Sequence, residues 1–295
     1  MKVLVTGAQG QLARALKEYA ASRLDLDLYA VGQPQLDLAE TGGIEPLIHD
    51  LRPDVVINAA AYTAVDRAER EPEMAFRINA AAAGEVANGA ASIGAPIIQI
   101  STDYVFDGTA TAPYSEQAPT NPINIYGRSK LAGEDAVRAV NAQHLILRTS
   151  WIFSPFGHNF VKTMLRLAED RDEVCVVADQ FGCPTSADSL ALAVGCVLDR
   201  WMGGASTGLG QTYHVAGTGA CTWADLAEEV FGASAEAGGP SAKVIRITTE
   251  KFPTPAPRPR YSVLASGKFA AEFGVVLPSW QSLTRRVVTR LAAGQ

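Results

Sequence analysis

The chain has 295 residues, 47% of them hydrophobic, enough for one large α/β unit or for a domain with a smaller lobe. Its formal net charge of −6, with no long Lys/Arg run, argues against a nucleic-acid surface. Val3, Leu4 and Val5 are too short an apolar run for a signal peptide, and no stretch approaches a membrane span, so the expectation is a cytoplasmic protein without a membrane partner.

Short apolar runs alternate with helical stretches through the first half. Residues 2–6, 26–31, 55–58, 97–101 and 145–149 read as strands, rich in Val, Ile and Leu at both alternating positions. Residues 11–22, 41–51, 73–93 and 126–140 read as helices. This β-α-β-α order predicts a doubly wound, Rossmann-type parallel sheet over residues 1–150. Past Arg148 the rhythm loosens. Residues 159–169, 187–201, 223–231 and 279–291 look helical, and 174–177 and 213–215 look like short strands. Residues 202–211, rich in Gly and Ser, and 252–260, with Pro253, Pro255, Pro257 and Pro259, read as loops. Residues 151–295 are expected to form mainly a smaller C-terminal substrate-binding lobe, with some segments returning to the first domain. Cys175, Cys183, Cys196 and Cys221 are scattered, without a Cys-x-x-Cys pair, and read as reduced thiols rather than a disulfide frame or zinc site.

Thr6-Gly7-Ala8-Gln9-Gly10-Gln11-Leu12-Ala13 follows the first strand and opens the first helix, the context a dinucleotide loop needs. Gly7 would permit the tight turn. Gly10 would let a pyrophosphate approach the positive helix end, with Ala13 at the third glycine position. Gly7, Gln9, Gly10, Gln11 and Leu12 are therefore candidate cofactor-binding residues, the plain alternative being an ordinary strand-to-helix turn. The second strand runs into Val31-Gly32-Gln33-Pro34-Gln35, with no carboxylate for the ribose hydroxyls of NAD and no Arg for a 2′-phosphate. This favours NADPH and leaves NADH open. Asp37 and Leu38 either border the adenine or form a loop turn. After the third strand, Ala59, Ala60 and Ala61 leave space for a ribose or nicotinamide, or pack as plain Ala-rich sequence.

Ser101-Thr102-Asp103-Tyr104 ends the fourth strand, at the edge where open α/β sheets bind ligands. Thr102 would donate to a carbonyl oxygen, or only shape a Ser/Thr-Asp turn. Tyr126 and Lys130 stand one turn apart on the next helix and share a face. A tyrosine with a pKa of about 10 is a poor proton-transfer group at neutral pH. A lysine cation close by favours the phenolate and lowers that pKa. The pair can then exchange a proton with a substrate oxygen. Such spacing alone is more often a solvated face. Combined with Thr102 and the glycine loop, it makes a candidate catalytic set.

Together the motifs resemble the dTDP-4-dehydrorhamnose reductase family of the extended short-chain dehydrogenase/reductase superfamily. The resemblance rests on Gly7-x-x-Gly10-Gln11, Asn58-Ala59-Ala60-Ala61-x-Thr63-x-Val65-Asp66, Asn79, Ser101-Thr102-Asp103-Tyr104-Val105-Phe106, Tyr126-Gly127-x-Ser129-Lys130 and Arg148-Thr149-Ser150-Trp151. Asn159-Phe160, Asp179-Gln180-x-Gly182-x-Pro184-Thr185 and Pro253-Thr254-Pro255-x-x-Arg258-Pro259 extend it over nearly the whole chain. It implies NAD(P)H-dependent reduction of the 4-keto group of dTDP-4-dehydro-β-L-rhamnose to dTDP-β-L-rhamnose. Hydride would go to C4 and the proton would come from Tyr126. Lys130 would lower the Tyr126 pKa and hold the nicotinamide ribose, and Thr102 would bond the carbonyl or its developing oxyanion. Asp103, Tyr104 and Trp151 would line the sugar or nucleotide pocket. Arg258, in its proline-stiffened loop, would meet the diphosphate as a bidentate donor, a solvated loop arginine being the alternative.

One departure concerns metal. Some relatives pair subunits through Mg²⁺ held by acids, one of them on the first helix. Here Leu12-Ala13-Arg14-Ala15-Leu16 carries none, so no metal site is expected, and monomer and homodimer stay open. A dTDP-glucose 4,6-dehydratase carries Glu directly after the Thr-Asp pair, where this chain has Tyr104. Another nucleotide-sugar epimerase or reductase is a further alternative. So is a non-catalytic NADP-binding regulatory subunit like the β subunit of methionine adenosyltransferase. The retention of Thr102, Tyr126 and Lys130 favours an enzyme.

Overall fold

The structure, a computed structural model, describes residues 1–40 and 42–294. Strands β1 (Lys2–Thr6), β2 (Asp27–Val31), β3 (Val55–Asn58), β4 (Ile97–Thr102) and β5 (His144–Thr149) join the strand Gln211–His214 in a six-stranded sheet. The order is β2-β1-β3-β4-β5 and then Gln211–His214, with every pairing parallel. Every residue of β3, β4 and β5 is buried, because helices cover both faces. That double cover is why these strands read as unbroken apolar runs. The chain steps outward from β1 to β2 and then crosses to β3 on the other side of β1. This reversal opens a crevice at the carboxyl ends of β1 and β3.

The helices are α1 (Gln11–Ala21), α2 (Ile44–Leu51), α3 (Val65–Ala68), α4 (Pro72–Phe76), α5 (Ala82–Ser92) and α6 (Ile125–Val140), with further helices after β5. The predicted helix over 41–51 starts at Ile44, and Thr41 lies outside the described residues. On one face of the sheet, Leu12 and Leu16 pack with Leu190, Val194 and Val197 of the helix Ala187–Met202 and with Phe269 and Phe273. Ile44, Ile48, Val86 and Ala90 cover the other face. Segments from beyond residue 150 therefore return to the sheet: the helix Ala187–Met202, the strand Gln211–His214 and the helix Gly267–Phe273. A separate core of Phe153, Val161, Val174, Val230, Leu283 and Val287 holds the helices Phe160–Ala168, Trp223–Glu236 and Trp280–Ala292. The parallel pair Glu173–Val177 and Lys243–Ile247 lies with them.

The single helix predicted over 73–93 is instead α4, a π-helical turn at Arg77–Ala81, and α5. The widened turn directs Asn79, 2% exposed, inward. Its Oδ1 accepts from the Tyr62 N–H at 2.8 Å, and its amide donates to the Tyr62 carbonyl at 3.1 Å and to Ser129 Oγ at 2.9 Å. The loop after β3 is thereby tied to α6.

Two glycines let α6 seat this closely. A methyl group on Gly133 would collide with the Asn79 carbonyl, and one on Gly127 with the Tyr104 carbonyl. Gly133→Ala should therefore cost about 1–3 kcal/mol in denaturant unfolding, through overpacking. Gly232, in a helix with open space around it, is the contrast. Gly232→Ala should be neutral or add up to about 1 kcal/mol. Equal stability of both variants would show that α6 is not seated at this distance.

Candidate active site

β1 ends in Thr6, and Gly7 at φ 81° turns the chain sharply into α1. A side chain there would be strained and would press on the Ala60 Cα at 2.9 Å. Gly10 caps α1 with no side-chain hydrogen bond, so the first N–H groups of the helix are left for another acceptor. A cleft of about 620 Å³ opens here, lined by Gly7, Gln9, Gly10, Gln11, Leu12, Asp37, Leu38, Ala59, Ala60 and Ala61. An uncapped helix end, a glycine turn and a wall of alanines fit a dinucleotide pyrophosphate and its ribose. Gly32 and Thr63, which stand in the sequence motifs, share the wall with Ile78, Ile152 and His158, which carried no local signal in the sequence.

Two of these residues do something more specific. The Asp37 carboxylate accepts from Gln33 Nε2 at 2.6 Å and from the Ala39 N–H at 2.9 Å, so it both borders the cleft and forms a turn. The Gln11 side chain is engaged elsewhere. Its Oε1 accepts from Ser154 Oγ at 2.8 Å and from Asn159 Nδ2 at 3.0 Å, tying α1 to the segment after β5. A buried polar row fixes the strand ends that frame the cleft. Thr6 Oγ1 donates to Asn58 Oδ1 at 2.6 Å, and Asn58 Nδ2 donates to Gln99 Oε1 at 2.8 Å.

Asn124 caps α6, accepting from the Gly127 N–H at 2.7 Å, and so places Tyr126 in the first turn. The Tyr126 ring meets Tyr104 edge-on, with centroids 5.8 Å apart. Burial pushes the Tyr126 phenol up to about 12, while the Thr102 hydroxyl pulls it back and Asp103 pushes it further. Lys130, 4% exposed, donates from Nζ to the Ile100 carbonyl at 2.7 Å. Burial brings its ammonium down to about 8, against the pull of Glu134. The groups that set the Tyr126 phenol are thus burial, Thr102 and Asp103, while the Lys130 ammonium is bonded to the main chain of β4. Tyr126 is consequently a loaded acid at neutral pH. Ile100 also lines the cleft, so the ammonium lies directly behind its wall.

Thr102 Oγ1 accepts from the Tyr104 N–H at 3.1 Å and donates to Asp103 Oδ1 at 3.1 Å. Asp103 was expected to line the pocket; the structure turns it inward, 2% exposed. Its Oδ2 accepts from Ser262 Oγ at 2.5 Å and from Ser150 Oγ at 3.2 Å. Burial pushes this carboxyl up to about 6, and the Ser262, Thr102 and Ser150 hydroxyls hold it from rising further. Burial also drives the Tyr104 phenol well above its ordinary range. Arg258 lies against Tyr104 but is neither solvated nor free for a diphosphate. Both its terminal nitrogens bind the Asp66 carboxylate, Nη2 to Oδ2 at 2.8 Å, joining the proline loop to α3. Trp151, at φ 49°, stacks on Trp223 with centroids 3.4 Å apart and packs over Gly182. It is half-buried against the second core.

Among the described residues, no group of three or more His, Cys, Asp or Glu could hold a metal ion. Glu18 on α1 is held by Arg290, Nη1 to Oε2 at 2.8 Å and Nη2 to Oε1 at 2.5 Å. The cysteines are unpaired. No helix among the described residues is long and apolar enough to cross a membrane.

The sequence matches the family described as "RmlD substrate binding domain" over residues 1–293. It is 47% identical over 291 residues to a dTDP-4-dehydrorhamnose reductase of Sinorhizobium fredii, covering 99% of this chain and 98% of that one. Among solved structures, it resembles a dTDP-4-dehydrorhamnose reductase of Clostridium acetobutylicum, with a TM-score of 0.91, 39% identity and 99% of each chain covered. The enzyme of the same name from Bacillus anthracis, solved in complex with NADP, gives a TM-score of 0.89 at 37% identity, covering 98% of this chain and 99% of that one.

The inward carboxyl makes a pH prediction. Its folded value of about 6 lies above the ordinary carboxylate value, so its contribution is fully present at low pH and is lost as pH rises from about 4 to about 6. By neutral pH the ionised group costs up to about 3 kcal/mol, at about 1.4 kcal/mol per pKa unit. Urea unfolding across this range should show wild type losing stability relative to Asp103→Asn as pH rises. Parallel curves would mean that Asp103 titrates as an ordinary carboxyl.

Proposed function

The chain belongs to the dTDP-4-dehydrorhamnose reductase family, and on that premise we propose that Tyr126, Thr102 and Lys130 carry out its ketone reduction at the end of β4. The protein is an NAD(P)H-dependent oxidoreductase. It reduces the 4-keto group of dTDP-4-dehydro-β-L-rhamnose to give dTDP-β-L-rhamnose. The observation that carries the residue roles is the meeting of Thr102, a phenol raised by burial and a buried lysine behind a glycine-cradled cleft.

Bound in that cleft, the nicotinamide supplies the hydride for sugar C4. Gly7 and Gly10 let the pyrophosphate approach, and the free N–H groups of α1 take up its charge. Lys130 would hold the nicotinamide ribose. Tyr126 passes its phenolic proton to O4 as negative charge builds there. A phenol at about 12 stays protonated through neutral pH, as the acid of a reduction must. Thr102 serves the same oxygen by turning its single hydroxyl proton away from Asp103, a rotation that moves no heavy atom. Asp103 acts behind Thr102 and does not touch the sugar.

Tyr104 supports reduction over dehydration. Its phenol, raised by burial, is not a base at neutral pH, and no second carboxylate stands in its place. Tyr104 and the exposed part of Trp151 would border the sugar nucleotide. Arg258 would reach the diphosphate only by exchanging Asp66 for it, one charge-assisted pair for another. The substrate side would be formed mainly by residues 151–295, less the segments that return to the sheet. All the catalytic groups come from one chain, so a monomer suffices for the chemistry and a homodimer needs no shared site. The nicotinamide and sugar-nucleotide pools that it uses support a cytoplasmic location.

Purified protein should oxidise NADPH when given the 4-keto sugar nucleotide, followed at the nicotinamide absorbance. Tyr126→Phe should lower that rate by about 10²–10⁴-fold with little change in stability. A full rate in this variant would remove Tyr126 as proton donor. NADPH should give a higher kcat/KM than NADH, because the end of β2 at Gly32 and Gln33 offers no carboxylate to the ribose hydroxyls. A wild type that oxidises neither would contradict the reductase activity.

A further inference from the structure

Glu134 stands one turn beyond Lys130 on α6, so Tyr126, Lys130 and Glu134 form one stripe along the helix. Each meets a residue at the end of β4. Tyr126 lies against Thr102, Lys130 Nζ donates to the Ile100 carbonyl at 2.7 Å, and Ser101 Oγ donates to Glu134 Oε1 at 2.6 Å. Glu134 is 0% exposed. Arg148 of β5 clamps it with two bonds, Nε to Oε1 and Nη2 to Oε2, both 2.8 Å. Arg138 Nη2 adds another to Oε2 at 2.8 Å. The reaction described above makes no use of this carboxylate.

A buried ion pair is a poor way to gain stability. Desolvation cancels much of the attraction, and apolar side chains of the same volume often stabilise more. Its directional bonds do something apolar packing does not: they select one register of helix on strand. We infer that Glu134 is a positioning residue for the reduction. Clamped by Arg148 and Ser101, it fixes α6 on β4 so that Tyr126 meets Thr102, and it keeps a negative charge facing the Lys130 ammonium. This inference rests on the catalytic roles proposed above.

The charged groups around the stripe set the sign of the test. Glu134 is the anion whose field opposes the effect of burial on Lys130. Arg148 and Arg138 are the cations beside it, and Asp103 lies beyond Thr102. His214, on the strand next to β5, is kept neutral by burial. Loss of the Glu134 charge therefore lowers Lys130 further, and activity that needs the ammonium fails at lower pH.

The experiment compares wild type with Glu134→Gln, Ser101→Ala and the apolar double variant Glu134→Leu/Arg148→Met, which leaves no orphaned charge. Steady-state rates with NADPH and the 4-keto sugar nucleotide are measured from about pH 6 to 10, across the lysine titration range, beside thermal unfolding. Glu134→Gln should lower kcat about tenfold, with KM for the sugar nucleotide within about twofold. Its alkaline limb should move about one pH unit towards acid. Ser101→Ala should lower kcat and leave the limb where it is. The double variant should fold as well as wild type, with the lowered kcat and the shifted limb. If Glu134→Gln does not fold, the double variant decides. A folded double variant with wild-type kcat and an unmoved limb would overturn the inference alone. An inactive wild type would overturn the catalytic reading and this inference with it.

Discussion

α6 is seated with no side chain in the way at two places, Gly127 against the Tyr104 carbonyl just past β4 and Gly133 against the Asn79 carbonyl of the π turn, and the rest of the site depends on that close approach. It brings three successive strand residues against one helical stripe. The Ile100 carbonyl takes the Lys130 ammonium, the Ser101 hydroxyl takes Glu134, and the Thr102 hydroxyl lies by Tyr126. A helix displaced by even one side-chain thickness would keep its fold and lose this alignment. The π turn at Arg77–Ala81 belongs to the same arrangement, since its Asn79 bonds Ser129 on α6 and the Tyr62 backbone after β3.

The cleft proposed for the cofactor and the proposed acid site meet at one residue. The Ile100 side of the wall lines the cleft, and its carbonyl holds Lys130 behind it. The cleft exists because the strand order reverses at β1, with β2 laid on one side and β3 on the other, leaving the carboxyl ends of β1 and β3 free of crossing chain. Thr6, Asn58 and Gln99 bond across those ends and hold β1, β3 and β4 level. Burial does the electrostatic tuning: it raises Tyr126, the proposed proton donor, and it raises Asp103, which shares the proton of Thr102. Thus the same exclusion of water that stabilises the sheet sets the protonation of its working groups.

Much of this was legible in the sequence, for identifiable reasons. β1 and β3 stand out because a strand covered on both faces reads as a continuous apolar run. Gly7, Gly10 and Ala59–Ala61 stand out because small residues after parallel strands have a steric purpose, and all five line the cleft. The π turn was hidden because one extra residue barely disturbs a helical period. The strand Lys243–Ile247 was hidden because it is half-exposed and carries Lys and Arg. The inward turn of Asp103 depends on Ser262, and the pairing of Arg258 depends on Asp66, partners far away in the chain. Lys130 finds its acceptor in a main-chain carbonyl, which no pattern of side chains announces.

The central claim is that this alignment serves direct reduction of a sugar ketone, with hydride delivered to C4 from the cofactor side and a proton from the protein. Turnover with NADPH carrying deuterium at both positions of nicotinamide C4, in ordinary water, tests it most directly. Mass and NMR analysis of the product should find one deuterium, bonded to C4 of the rhamnose. Product without deuterium at C4, or deuterium at another carbon, would contradict the account.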